Sequence, residues 1–313
     1  MCFSRCATSR NDVTYSYRIS GLSVTSEMEL PGAIDIAPDD AADVMVRFGD
    51  VPRQLAQPSA SGPAWQREGD TVLLCVPRLA RILITGGRSV IVALEDGASA
   101  RDASGFVLGS SLGILLHQRG AQVLHGSAVA REGRAIVLCG PSGAGKSTMA
   151  AALCKKGCSF VTDDICVVSM NADRAPVVLP DGRQLKLWQR SIDGLDLEGR
   201  QGGVVREAFD KYFVAPETTV SAPPLLAAIY MLRESRPPFE EGIEALDLPD
   251  AMRMLEQEAY RPGLRRQLSS PQQMLSQAAA TLRHAKAFSL TRPLGFERMD
   301  ATLDVLLQHW RAL

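Results

Sequence analysis

The run Gly140-Pro141-Ser142-Gly143-Ala144-Gly145-Lys146-Ser147 lies between an apolar stretch, Ala135 to Cys139, and a helical pattern, Ser147 to Lys156, that Gly157 stops. Strand, glycine loop and helix in that order make a P-loop, and the flanking elements are much more specific than the four fixed positions alone. The glycines let consecutive backbone N–H groups turn inward on phosphate oxygens, and the helix N-terminus adds its partial positive charge. The expected nucleotide-binding set is therefore Gly140, Ser142, Gly143, Ala144, Gly145, Lys146, Ser147 and Thr148. With ATP in place, Lys146 would neutralise the β and γ phosphates while the Ser147 hydroxyl ligates Mg2+.

Such a site transfers phosphate only if something holds the metal and something accepts the proton of an attacking hydroxyl. Asp163 and Asp164, 17 and 18 residues after Lys146, are the candidates. They are expected to end a short strand, and a right-handed strand-helix-strand crossover would set that strand beside the P-loop strand with both C-terminal ends at one rim. Neighbouring carboxylates on an extended chain point apart, so one faces the metal and the other the acceptor or the surrounding fold. His125, one hairpin before the P-loop strand, is a third candidate.

With 34 Lys and Arg against 35 Asp and Glu, the net charge is -1, and there is no global basic field for nucleic acid. No run approaches the length of a membrane span, and the first twelve residues, MCFSRCATSRND, lack an apolar export core. Seven cysteines form an odd, sparse set that fits reduced thiols in a cytoplasm. Cys154, Cys158 and Cys166 lack histidines at zinc-ligand spacing, so a metal role for them is disfavoured.

A chain of 313 residues predicts about two domains. From Val13 to Val92, short apolar runs (Val44 to Val46, Val72 to Val76, Ile82 to Ile84, Val90 to Val92) alternate with turn clusters such as Asp39-Asp40 and Gly86-Gly87, which predicts strands and hairpins. Phe106, Leu108, Leu112, Leu115 and Leu116 recur at helical spacing up to Gly120 and predict one helix. Downstream, Phe160-Val161 and Ile165 to Val168 read as strands, and Leu225 to Leu232 as a strand buried on both faces. Ala251 to Glu258 reads as helix, as does Gln272 to Leu282, capped by Ser270 with Pro271 at its first position. Phe288 to Leu290 suggests a further strand and Glu297 to Trp310 a last helix. The Arg261 to Arg266 segment reads as a solvated face.

The run from Leu124 to Val168, with His125-Gly126, a P-loop 15 residues after His125, and Asp163-Asp164 beginning 23 residues after Gly140, resembles the catalytic domain of HPr kinase/phosphorylase. The resemblance implies nucleotide on Lys146 and Ser147, Asp163 as the base that deprotonates a serine, and His125 beside it. Asp164, with Ser147, would then support the metal. Leu197-Glu198-Gly199-Arg200-Gln201-Gly202 departs from the signature of the bifunctional enzymes, so phosphorylase activity and a metal role for Glu198 are not implied. Gly109 to Leu116, His117-Gln118-Arg119-Gly120, Leu124-His125 and Leu185-Lys186-Leu187-Trp188 are similar to a stand-alone branch, the lasso peptide precursor kinases, which phosphorylate a serine near the C-terminus of a precursor peptide.

The expectation is an α/β protein. Residues 1–120 would form a smaller strand-rich α+β domain ending in a helix, and residues 121–313 an HPr-kinase-like P-loop kinase domain. Its catalytic residues would be Asp163, His125 and Lys146, its metal ligands Ser147 and Asp164, and its cofactors ATP and Mg2+. Its partner would be a precursor peptide, with neither nucleic acid nor membrane, and the sequence leaves a homo-oligomer open. Lys211 and Arg261 are further cations of structural or phosphate-reaching character. A small-molecule kinase would share every nucleotide residue, and a non-catalytic nucleotide-binding regulator would lack only a use for the acid pair.

Overall fold

The computed structural model describes residues 13–38, 41–181, 183–205 and 209–313. The Asp39-Asp40 turn and the first twelve residues, with Cys2 and Cys6, lie outside the described residues. The protein is a mixed α/β structure with a strand-rich N-terminal sheet and a P-loop unit.

The first sheet contains β1 (Tyr15–Ile19), β2 (Leu22–Ser26), β3 (Ile34–Asp35), β4 (Val44–Phe48), β5 (Ala60–Gly62), β6 (Trp65–Glu68), β7 (Thr71–Val76), β8 (Ala80–Thr85) and β9 (Ser89–Leu94). Their order is β3-β1-β2-β4-β9-β8-β7-β6-β5. Alternation sets the buried face: Ala80, Ile82 and Ile84 of β8 point inward while the residues between them are half-buried. Against this face packs the predicted helical run, which divides into α1 (Ala100–Phe106), a π-helical turn (Val107–Ser111) and α2 (Leu112–Gln118). The π turn carries no sequence signal of its own. It lies where Gly109 and Gly113 leave room for Tyr260, whose ring would stand 2.4 Å from a Cβ on Gly113.

The second sheet begins with the hairpin β10 (Gln122–Arg131) and β11 (Arg134–Cys139), joined at Glu132-Gly133 with positive φ at both positions, the twist two-residue hairpins favour. It continues with α3 (Lys146–Lys155), β12 (Ser159–Met170) and β13 (Pro176–Val178). A separate three-stranded sheet follows, formed by β14 (Leu185–Trp188), β15 (Gln201–Val204) and β16 (Lys211–Val214), with α4 (Gln189–Gly194) between β14 and β15. The chain then supplies β17 (Leu225–Glu234), β18 (Gly242–Ala245), α5 (Leu248–Gln257), α6 (Pro262–Leu268), α7 (Pro271–Leu282), β19 (Lys286–Arg292) and α8 (Met299–Arg311).

Leu226 to Tyr230 are buried on both faces of β17, as their unbroken apolar run predicts. One face of the sheet packs on α3 and α8, with Leu138, Tyr230 and Phe288 meeting Met149 and Leu306. The other packs on α5 and α7, with Val137 and Ile229 meeting Met254 and Ala278. The α7 cap is as expected: Ser270 Oγ accepts from the Gln273 N–H at 3.1 Å.

Three expectations are corrected. First, β12 does not lie beside the P-loop strand. The order is β11-β10-β12, with β10 antiparallel to both, so β11 and β12 run the same way with one strand between them. Second, Asp163 and Asp164 do not end a strand, because β12 continues through them to Met170 and Asp164 adopts a positive φ of 76° within it. Third, the Arg261 to Arg266 segment is not simply a solvated face: Arg265 is buried and Nη2 donates to Gln277 Oε1 at 2.9 Å. Among the described residues no helix is long and apolar enough to cross a membrane.

Candidate active site

The cradle starts where β11 ends. Gly140, Gly143 and Gly145 have φ of 142°, 85° and 83°, and Gly145 forms the N-cap of α3. Their positive φ is what calls for glycine; a Cβ on Gly140 would also stand 3.0 Å from the Leu232 carbonyl oxygen, and one on Gly145 would displace Arg292 Nη2, 2.6 Å away. The Lys146 side chain is buried and folded back over the loop, donating to the carbonyls of Gly140 at 2.7 Å and Pro141 at 3.2 Å. Burial lowers its pKa. Thr148 exchanges a hydroxyl hydrogen bond of 2.9 Å with Ser191 of α4, which fastens the first turn of α3 to the neighbouring element.

Strand register brings the acid pair to this loop. Gly126 pairs with Cys139 on one side and Asp164 on the other, and Ser127 pairs with Leu138 and Asp163. The carboxylates therefore stand level with the end of β11, one strand away. Gly126 permits that approach, because a Cβ there would sit 2.9 Å from the Leu138 carbonyl oxygen.

The two aspartates have different surroundings. Asp163 is buried, and its Oδ1 accepts from Ser127 Oγ at 2.5 Å and from the P-loop Ser147 Oγ at 2.7 Å. Its Oδ2 accepts from the Lys186 backbone N–H at 3.2 Å. Asp164, turned by its positive φ, places Oδ1 3.3 Å from His125 Nδ1 and Oδ2 3.5 Å from Lys186 Nζ. Burial works against its charged form, but the His125 hydrogen bond and the charges of Lys186 and Arg183 hold its carboxyl well below the ordinary carboxylate range. The expected grouping is thus altered: Ser147 is joined to Asp163, and His125 to Asp164.

His125, Lys146, Ser147, Asp163, Asp164 and Lys186 line one cavity of about 600 Å³, together with Ser142, Trp188, Arg190, Lys211, Arg292 and Phe296. The lining residue Trp188 is exposed and meets the exposed Phe209 ring edge-on at 6.4 Å, with Lys211 Nζ 5.8 Å from the Trp188 ring centre. Lys211 thus reaches the cavity. Arg261 does not, lying instead over the Tyr260 ring at 5.9 Å and bonding Ser110 Oγ. Lys186 and Arg292 are cavity cations whose roles the residue pattern does not reveal. Arg292 follows an apolar strand and precedes a proline, which offers at most the signal that it ends a strand.

Among the described residues no three His, Cys, Asp or Glu side chains gather as a metal-holding group. A magnesium site at a P-loop does not need one, because phosphate oxygens and water complete an octahedron begun by one or two protein oxygens. Ser147 Oγ and Asp163 Oδ1, 2.7 Å apart, are hard oxygen donors that fit this ion.

Residues 136–202 match the family model described as an AAA domain. Among solved structures, the Hpr(Ser) kinase/phosphatase from Coxiella burnetii aligns with 61% of this chain and 97% of its own, at 9% identity and a TM-score of 0.31. No curated protein matches.

Proposed function

We propose that the protein is an ATP-dependent kinase that transfers the γ-phosphoryl group to a serine hydroxyl of a peptide, its acceptor class being the C-terminal region of a ribosomally made lasso precursor. The division of the acid pair carries this reading: Asp163 turns to Ser147 of the P-loop, while Asp164 turns to His125 and Lys186 in the same cavity. A site that only binds nucleotide has use for the first carboxylate; an acceptor hydroxyl has use for the second.

In this assignment Ser147 and Asp163 hold magnesium, Lys146 leaves the loop carbonyls for the phosphates, and Asp164 receives the acceptor. Magnesium held there would supply charge neutralisation for the phosphates. The bond from the γ phosphorus to the ADP oxygen breaks, a bond to the serine oxygen forms, and the serine proton passes to Asp164. A loose transition state asks little base strength, so a carboxylate kept ionised by its neighbours serves mainly to aim the hydroxyl. This reverses the order of roles that the resemblance implies, with Asp164 as base and Asp163 on the metal.

The acceptor would enter the cavity beside the exposed Trp188, where a flexible peptide end fits more readily than a folded surface. The assignment places the reaction in the cytoplasm, with the supply of ATP. Incubation of the protein with ATP, magnesium and a serine-bearing precursor peptide should add about 80 Da per phosphoryl group. An unmodified peptide beside rapid phosphorylation of a metabolite would overturn the acceptor.

A further inference from the structure

One more buried cation faces the phosphate cradle. Arg292 is the last residue of β19, and because β11, β17 and β19 are parallel, its backbone reaches the same rim as the loop after β11. The side chain is 4% exposed and lines the cavity. Its Nη2 donates to the Ala144 carbonyl at 2.7 Å and its Nη1 to the Pro293 carbonyl at 3.0 Å, while Nε has no partner among the described residues. Burial alone shifts this guanidinium, with no carboxylate acting on it.

A buried guanidinium held only by carbonyls, with an unused N–H, is strongly unfavourable unless an anion completes it. Lys146 likewise rests its ammonium on two carbonyls of the same loop, although the carboxylates of Glu258, Asp163 and Asp164 also act on it. Gly145 is the residue that lets the guanidinium come so close, since any Cβ there would collide with Nη2. The acid pair lies on the β12 side of the loop and Arg292 on the β19 side, so the two flank the glycine loop from opposite sides of one cavity.

We propose that Arg292 is a second phosphate-binding cation of the nucleotide site, exchanging the Ala144 carbonyl for a β-phosphate oxygen when nucleotide binds. The proposal rests on the nucleotide reading of the P-loop and is independent of the acceptor.

The test is calorimetric binding of magnesium-ADP to wild type, Arg292→Lys and Arg292→Gln, each checked for folding by its unliganded melting temperature. A charge-assisted phosphate contact predicts that Gln loses on the order of 30-fold in affinity and that Lys recovers at least about tenfold of it. If Arg292 merely braces the loop, both variants lower the unliganded melting temperature and bind magnesium-ADP alike, and the proposal fails. Should Gln not fold, Arg292→Met takes its place, and wild-type affinity in that variant overturns the proposal. A wild type that binds no ADP overturns the nucleotide reading and this proposal together. ADP binding without peptide phosphorylation overturns only the acceptor.

Discussion

The Ser147 hydroxyl donates to Asp163 Oδ1 across 2.7 Å, tying the first turn of α3 to β12, which is separated from the P-loop strand β11 by β10. Ser127 on the intervening strand bonds the same oxygen at 2.5 Å, so one carboxylate gathers three elements. Asp163 is thereby fixed before any ligand arrives, which is the preorganisation a metal-holding group requires.

The first consequence is a separation of phenotypes within the acid pair. Asp163→Asn should raise the magnesium concentration needed for half-maximal activity, whereas Asp164→Asn should keep ATP affinity within a few fold and lower transfer by on the order of 100-fold. Magnesium titration and single-turnover transfer measure the two. Exchanged phenotypes would return the base to Asp163.

Lys146 is the cation that the loop itself supplies. Lys146→Ala should weaken ATP binding by about 1.5 to 3 kcal/mol and abolish transfer, since a charge-assisted contact to phosphate is lost. Turnover at the wild-type rate would remove the P-loop from the mechanism.

The pH dependence follows from the neighbours of Asp164. Its folded pKa is depressed, so its contribution to stability is present above its unfolded value of about 3.9 and is lost only as pH falls through the lower folded value. The acid limb of kcat/KM should accordingly lie below the usual carboxylate range. Lys186→Met removes a positive charge 3.5 Å away, raises the folded pKa and should move that limb to higher pH. An unmoved limb would show that another group sets it.

A fourth expectation concerns stability. Asp181 and Arg183 form a buried pair at 2.6 Å, with Ser20 of the β1–β2 turn on Asp181 at 3.1 Å and the Leu108 carbonyl of the π turn on Arg183 at 2.8 Å. Asp181→Ala strands the guanidinium and should cost about 3 to 5 kcal/mol, read as a lowered denaturation midpoint. A loss below about 1 kcal/mol would mean that water reaches the charge.

The P-loop, its strand and its helix were legible because glycine geometry, apolar runs and capping all act within a few residues. The burial of β17 and the α7 cap were legible for the same reason. Placing β10 between β11 and β12 depends on pairing between distant segments, for which Leu124 to Val129 carries no local signal. The positive φ of Asp164 and the altered grouping of Ser147 and His125 follow from that placement. Arg292 was not legible because its meaning comes from Gly145, nearly 150 positions earlier in the chain.

The inserted strand also bears on how the site can be moved or rebuilt. Residues 134–170 contain both the glycine loop and the acid pair, yet they lack β10, which holds the two at their working distance. A transplant limited to that stretch would carry every recognisable motif into a new host and leave the motifs unspaced. Pairing β12 with β10 also closes a longer loop than the β10–β11 hairpin does, so the half of the site that β12 carries bears the larger loop-closure entropy.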